Sequence, residues 1–141
     1  MKAEELRKGN LVLVEGKIIV VDSVNETGIN VEYEGGIYPE TNYDGHFEDW
    51  GIRPKSIIAP ILLTEEWLIK LGFIRTVTKM SLLNYVDYRN GYCVASIIEG
   101  RVEIEYCGLT IEERTYIRSV KMVHELQNLY FALTGEELTI K

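Results

Sequence analysis

Two closely spaced turn signals, Asn90-Gly91 and Glu99-Gly100, constrain this chain more than any other feature. A two-residue Asn-Gly loop is a strong hairpin signal, because the primed turns that match strand twist need positive φ. Strands are therefore expected over 81–89, 92–98 and 101–107. Counting outward from an Asn90-Gly91 loop pairs Tyr88 with Cys93 and Val86 with Ala95. Counting from Glu99-Gly100 pairs Ile97 with Val102, Ala95 with Ile104 and Cys93 with Tyr106. These residues share one face and nearly all are apolar, so turn chemistry and pleat agree. Asn84, opposite Ile97, is the exception. The other face carries Asp87, Ser96, Glu103 and Glu105 and is expected to meet water.

The first third reads as short strands. Residues 11–14 and 17–24 are rich in Val and Ile and flank Glu15-Gly16, a tight-turn signal. A second turn at 25–28 leads into 29–33, where Ile29, Val31 and Tyr33 alternate. The opening Leu6-Arg7-Lys8-Gly9-Asn10-Leu11-Val12-Leu13-Val14 is similar to the first strand of SH3-like barrels, Tudor-like and KOW-like modules included. Residues 52–59 are expected to return as a last strand.

Thr64 is placed to cap a helix, with Glu65 and Glu66 in its first turn, where the helix dipole favours acid. Leu63 and Leu68 take the positions of a hydrophobic staple, and Gly72 those of a left-handed stop. Residues 108–118 are open, with a strand expected near 115–117. Ser119 is expected to cap a helix reaching Thr134, stopped by Gly135. Its apolar members would be Val120, Met122, Val123, Leu126, Leu129, Tyr130, Phe131 and Leu133. At the helical period they span an arc of roughly 200°, which belongs to a helix covered on more than one side. The expected fold is α+β. Residues 1–60 form a small β-barrel or meander of SH3-like type. Residues 61–141 form a helix, an antiparallel meander and a C-terminal helix packed on that sheet.

Composition narrows the function classes. The 141 residues are 46% hydrophobic and 26% charged, in the range of ordinary globular proteins. Fifteen basic against 22 acidic residues leave a net charge of −7, where a phosphate-gripping protein carries a basic face. Arg114, Arg118 and Lys121 fall close together but read as scattered surface charge. The two cysteines, Cys93 and Cys107, lack metal or redox spacing. The N-terminal residues form no apolar signal region, and the longest apolar run, 57–63, is broken by Pro60. A cytoplasmic location without membrane attachment is the expectation. No Walker, Rossmann, nucleophile-elbow or His-Glu-x-x-His motif is present. Cys93 and His124 would make a nucleophile and base only if Cys93 left the core, where its strand register places it and where thiols are inert. No catalytic residue, cofactor or metal site is assigned.

One segment departs from regular patterning. Residues 35–51 carry Tyr38, Tyr43, Phe47 and Trp50 together with Glu40, Asp44, Glu48 and Asp49, and no basic residue. Long loops in compact domains are often functional. Three readings stay open: aromatics folded back to close the barrel, a recognition surface for a partner with a basic surface, or a metal site drawn from Asp44, His46, Glu48 and Asp49. Tyr38, Tyr43, Phe47 and Trp50 are the candidate partner-binding residues, since Tyr and Trp are favoured interface anchors.

The stretch Val123-His124-Glu125-Leu126-Gln127-Asn128-Leu129-Tyr130-Phe131-Ala132-Leu133-Thr134-Gly135-Glu136-Glu137-Leu138 is distinctive. With Leu63-Thr64-Glu65-Glu66-Trp67-Leu68 and Leu6-Arg7-Lys8-Gly9-Asn10, it resembles a family of small uncharacterised proteins of gut anaerobes and their phages and mobile elements. The resemblance implies a bacterial cytoplasm and an accessory role on a mobile element, and it transfers no activity. The expected function is a non-catalytic protein-binding or adaptor module. The alternative is a nucleic-acid-associated accessory protein that uses the SH3-like half.

Overall fold

The computed structural model describes residues 5–14, 16–24, 28–32, 52–54, 58–80, 83–108 and 113–141. It is an α+β fold with two antiparallel sheets and two helices. The chain divides into two compact units. The first comprises 1–61 and 123–129, the second 62–122 and 130–141.

In the first unit the strands are β1 (Leu11–Val14), β2 (Lys17–Val24), β3 (Gly28–Glu32), β4 (Ile52–Pro54) and β5 (Ile58–Ala59). Their order is β4-β3-β2-β1-β5. Val14 pairs with Lys17 across the expected two-residue turn, and Gly16 holds φ +77° there. The returning segment 52–59 is not one strand. β4 pairs with β3 and β5 pairs with β1, at opposite edges of the sheet. β4 stops at Pro54, which has no amide to extend a ladder. No pairing joins β4 to β5 among the described residues, so a closed barrel is not seen. Leu6, Val12, Val14, Ile19, Val21 and Ile58 form the core.

In the second unit, α1 (Glu65–Lys70) forms where its caps dictate. Thr64 Oγ1 accepts from the Trp67 amide at 3.4 Å. At the other end Gly72 sits at φ +84°, its amide donating to Ile69 O while the Phe73 amide donates to Leu68 O. That pair of bonds is a Schellman stop, which favours glycine at the left-handed position. Leu63 and Leu68, the staple pair, are both buried.

The second sheet has the order β10-β9-β8-β7-β6. Its strands are β6 (Ile74–Met80), β7 (Leu83–Asn90), β8 (Cys93–Ile98), β9 (Arg101–Cys107) and β10 (Arg114–Val120). The β8–β9 register is the expected one: Cys93 faces Tyr106, Ala95 faces Ile104 and Ile97 faces Val102. Glu99 and Gly100 both take positive φ, +48° and +77°.

The β7–β8 register departs from expectation. Tyr88 faces Ala95 rather than Cys93, and Asn90 faces Cys93. The loop is therefore Gly91-Tyr92, with Gly91 at φ +57° as its first central residue, the position that a type II′ turn gives to glycine. Asn90 is drawn out of the turn by other bonds. Its Nδ2 donates to Leu71 O at 3.4 Å and its Oδ1 accepts from Tyr130 at 3.4 Å. The slip is by two residues, so every side chain keeps its face.

Two further expectations change. Ser119 does not cap a helix; it lies in β10 opposite Glu103, and α2 runs Val123–Thr134. Val120 and Met122 thus precede the helix, and Gly135 closes it at φ +75°. Nor does α2 pack only on the second sheet. Its first turns belong to the first unit, where Val123, Leu126, His124 and Gln127 are buried. Tyr130 belongs to the second, its ring edge-on to Phe73 at 6.4 Å.

Candidate interaction surface

Tyr38, Tyr43, Phe47 and Trp50 lie outside the described residues, as do Asp44, His46, Glu48 and Asp49. The described residues contribute a different surface, the polar face of the second sheet. By alternation this face carries Ile74 of β6, Tyr85, Asp87 and Arg89 of β7, Val94, Ser96 and Ile98 of β8, Glu105 of β9, and Arg114 and Tyr116 of β10.

This face was expected to lie open to water, and its centre does not. Asp87 is only 4% exposed and Val94 1%. The cause is visible in one ion pair. Arg114 Nη2 meets Asp87 Oδ2 at 3.0 Å, although β9 and β8 stand between their strands. Three inter-strand steps separate their strands by about 14 Å in a flat sheet, a span that an extended arginine and an aspartate cover between them. The Arg114 side chain therefore lies along this face, over β9 and β8. Asp87 also accepts from Ser96 at 3.1 Å and lies 3.6 Å from Arg89, while Arg114 reaches Glu105 at 3.4 Å. Two arginines thus stand against two carboxylates over the floor formed by Val94. Burial works against the Arg114 charge, but the hydrogen bond and charge of Asp87 outweigh it and hold the guanidinium above its ordinary value.

Around this charged centre, on the same face, four large apolar or aromatic side chains stand exposed: Ile74, Tyr85, Ile98 and Tyr116. Ile74 is the extreme, at 72%. The sequence placed Asp87 and Glu105 on one face but left Arg114 out, because residues 108–118 carried no period. The signal that would have found it is an acid on an otherwise regular strand, which calls for a partner once buried.

Neither Cys93 nor His124 has the environment of a reactive group. Burial, helped by the nearby Cys107, pushes the Cys93 thiol up to about 11. Cys93 and Cys107 are both buried and free. Burial likewise pushes the His124 imidazole below its ordinary value, against the pull of Glu125 and Glu5. Among the described residues no group of three or more His, Cys, Asp or Glu is arranged to hold a metal ion.

The distinctive motif residues of the two chain ends meet inside the first unit. Gln127, fully buried, accepts from the Leu11 amide at 2.8 Å and donates to Gly9 O at 3.1 Å. Asn10, equally buried, donates to Asn128 Oδ1 at 2.9 Å and accepts from the Arg7 amide at 2.9 Å. Asn128 donates in turn to Glu5 O at 2.7 Å, and Arg7 Nη2 to Gln127 O at 3.1 Å. These side chains satisfy backbone groups, the buried Leu11 amide among them, which is a structural task. No family model, curated protein or solved structure matches the chain.

Proposed function

We propose that this chain is a non-catalytic protein-binding or adaptor module and that the face of the second sheet carrying Asp87 and Arg114 is one of its contact surfaces. The observation that carries this reading is the set Ile74, Tyr85, Ile98 and Tyr116, exposed together around an ion-paired centre. Tyrosines supply large, stiff contact area with a polar tip, a combination favoured at interfaces. Of the arginines at this face, Arg114 and Arg89 are occupied by Asp87 and Glu105, and Arg101 lies 3.6 Å from Glu99, which leaves little free positive charge there for phosphates. That favours a protein over the nucleic-acid alternative.

The finer expectations belong to the same proposal. The order β4-β3-β2-β1-β5, in which β5 returns to β1 with only residues 55–57 after β4, supports reading the first unit as SH3-like. The motif resemblance supports a bacterial cytoplasm and an accessory role on a mobile element. Among the described residues no helix is long and apolar enough to cross a membrane. The aromatic segment with Tyr38, Tyr43, Phe47 and Trp50 remains a second candidate contact.

The test is cross-linked capture from host or phage-infected cells, read by mass spectrometry, with wild type beside the double variant Tyr85→Ala/Tyr116→Ala. Both side chains are exposed, so the variant is expected to keep its melting temperature and to lose the captured protein. A folded variant that retains its partner moves the contact elsewhere. Capture abolished by nuclease treatment replaces this reading with the nucleic-acid one.

A further inference from the structure

The two edges of the second sheet are built differently. β10 has a bulge between Tyr116 and Arg118, which twists an edge away from pairing. β6 has none. It pairs with β7 without interruption from Ile74–Arg89 to Met80–Leu83. Its other edge has no neighbouring strand among the described residues. A straight edge of seven residues presents a row of backbone donors and acceptors, the template for an added strand. Natural edges of this kind are blunted by proline, bulges or charged side chains, lysine above all. β6 has neither proline nor bulge; Arg75 and Lys79 are its charges, and Ile74 and Val77 are exposed apolar positions.

Charge decides what fits there. Residues 74–84 contain Arg75 and Lys79 and no acid, in a chain of net charge −7. A second copy of the chain pairing antiparallel over all of β6 would set Arg75 opposite Lys79 and Val77 opposite Val77. Like charges directly opposed across a strand pair destabilise it. An extended segment with acids at those two positions and an apolar residue between them removes the repulsion and covers Val77. Arg75 already lies 3.6 Å from Glu65, but both side chains are about half exposed, so that pair contributes little and yields readily to a closer one.

We infer that the edge of β6, which has no neighbouring strand among the described residues, accepts an extended acidic strand from another protein, in antiparallel pairing, with carboxylates opposite Arg75 and Lys79. This rests on the protein-binding reading above and names the class of segment bound.

The experiment uses the full chain and the synthetic peptide Val-Glu-Thr-Val-Thr-Glu-Val, labelled for fluorescence anisotropy, with the Glu-to-Lys peptide as control. Amide hydrogen exchange of residues 74–80 is followed in parallel. At a peptide concentration of about ten times its Kd, amides at the β6 edge should exchange roughly tenfold more slowly. The Lys peptide should leave them unchanged, and Arg75→Glu should reverse the preference between the two. Equal effects of both peptides, or none from either, overturn the inference. Protection of β6 that instead grows with protein concentration, together with a dimer in sedimentation, assigns the edge to a second copy and also overturns it. If the peptide fails while capture still depends on Tyr85 and Tyr116, the edge assignment alone falls. If the peptide binds and capture does not depend on Tyr85 and Tyr116, the sheet-face assignment falls.

Discussion

The two units bury polar groups in opposite ways. In the first, beside the buried His124, they are neutral amides: Asn10 and Gln127, both fully buried, with the partly exposed Asn128, bond backbone groups and one another at 2.7–3.1 Å. In the second they are charges: Asp87 is held between Arg114 and Arg89, whose side chains remain about a quarter exposed. The difference follows from desolvation. A neutral amide with all its partners costs little to bury, so Gln127 and Asn10 go fully inside. An ion costs far more, so only the short carboxylate is covered while each guanidinium keeps contact with water. Fully enclosed amides define a position. A half-open ion-paired centre leaves a surface.

The largest test of this contrast is a paired one on α2. Leu126→Ala removes a fully buried side chain and should cost about 2–5 kcal/mol in urea unfolding. Gln127→Ala, one residue on, should cost about 1–3 kcal/mol, because it leaves the buried Leu11 amide without a partner. A loss under about 1 kcal/mol would mean that water replaces the amide, and the network would not be a lock.

Asp87→Ala comes next, at about 1–3 kcal/mol, since both arginines it leaves behind can rehydrate. A cost above that of Gln127→Ala would reverse the comparison.

The His124 imidazole, in the amide-lined unit, gives a pH test. Burial holds it below its ordinary value of 6.5, with Glu125 and Glu5 opposing. Below 6.5 the unfolded chain therefore binds more protons than the folded one, so stability falls as pH drops from 6.5 through the folded value. The wild-type urea midpoint should be lower at about pH 5.5 than at about pH 7.5, and His124→Gln should flatten that part of the profile. An unchanged slope in the variant would assign the pH dependence to other groups.

The smallest effect is expected at Thr64, whose cap bond to the Trp67 amide is long at 3.4 Å. Thr64→Ala should cost about 0.5–1 kcal/mol and leave the Asp87–Arg114 face unaltered. Partner capture that fails in this variant would mean that α1 belongs to the contact.

Local chemistry alone determined a good part of this molecule. The stop at Gly72 needs only a left-handed residue and two local bonds. The β8–β9 register needs only a two-residue turn with both φ values positive. The first hairpin at Gly16 is equally local. In each case the interactions that choose the conformation lie within a few residues of sequence. Where long-range bonds compete, local reading fails. Asn90 is a turn former by preference, yet the carbonyl of Leu71 and the hydroxyl of Tyr130 hold its side chain, and the turn moves to Gly91-Tyr92. Ser119 has the chemistry of a cap, yet strand pairing with Glu103 claims it. The candidate surface was legible only as an alternation of polar residues along β7, β8 and β9. That Asp87 is buried and Arg114 reaches it from a strand three places away was decided by the order and register of the whole sheet, which leave no mark in any short window of sequence.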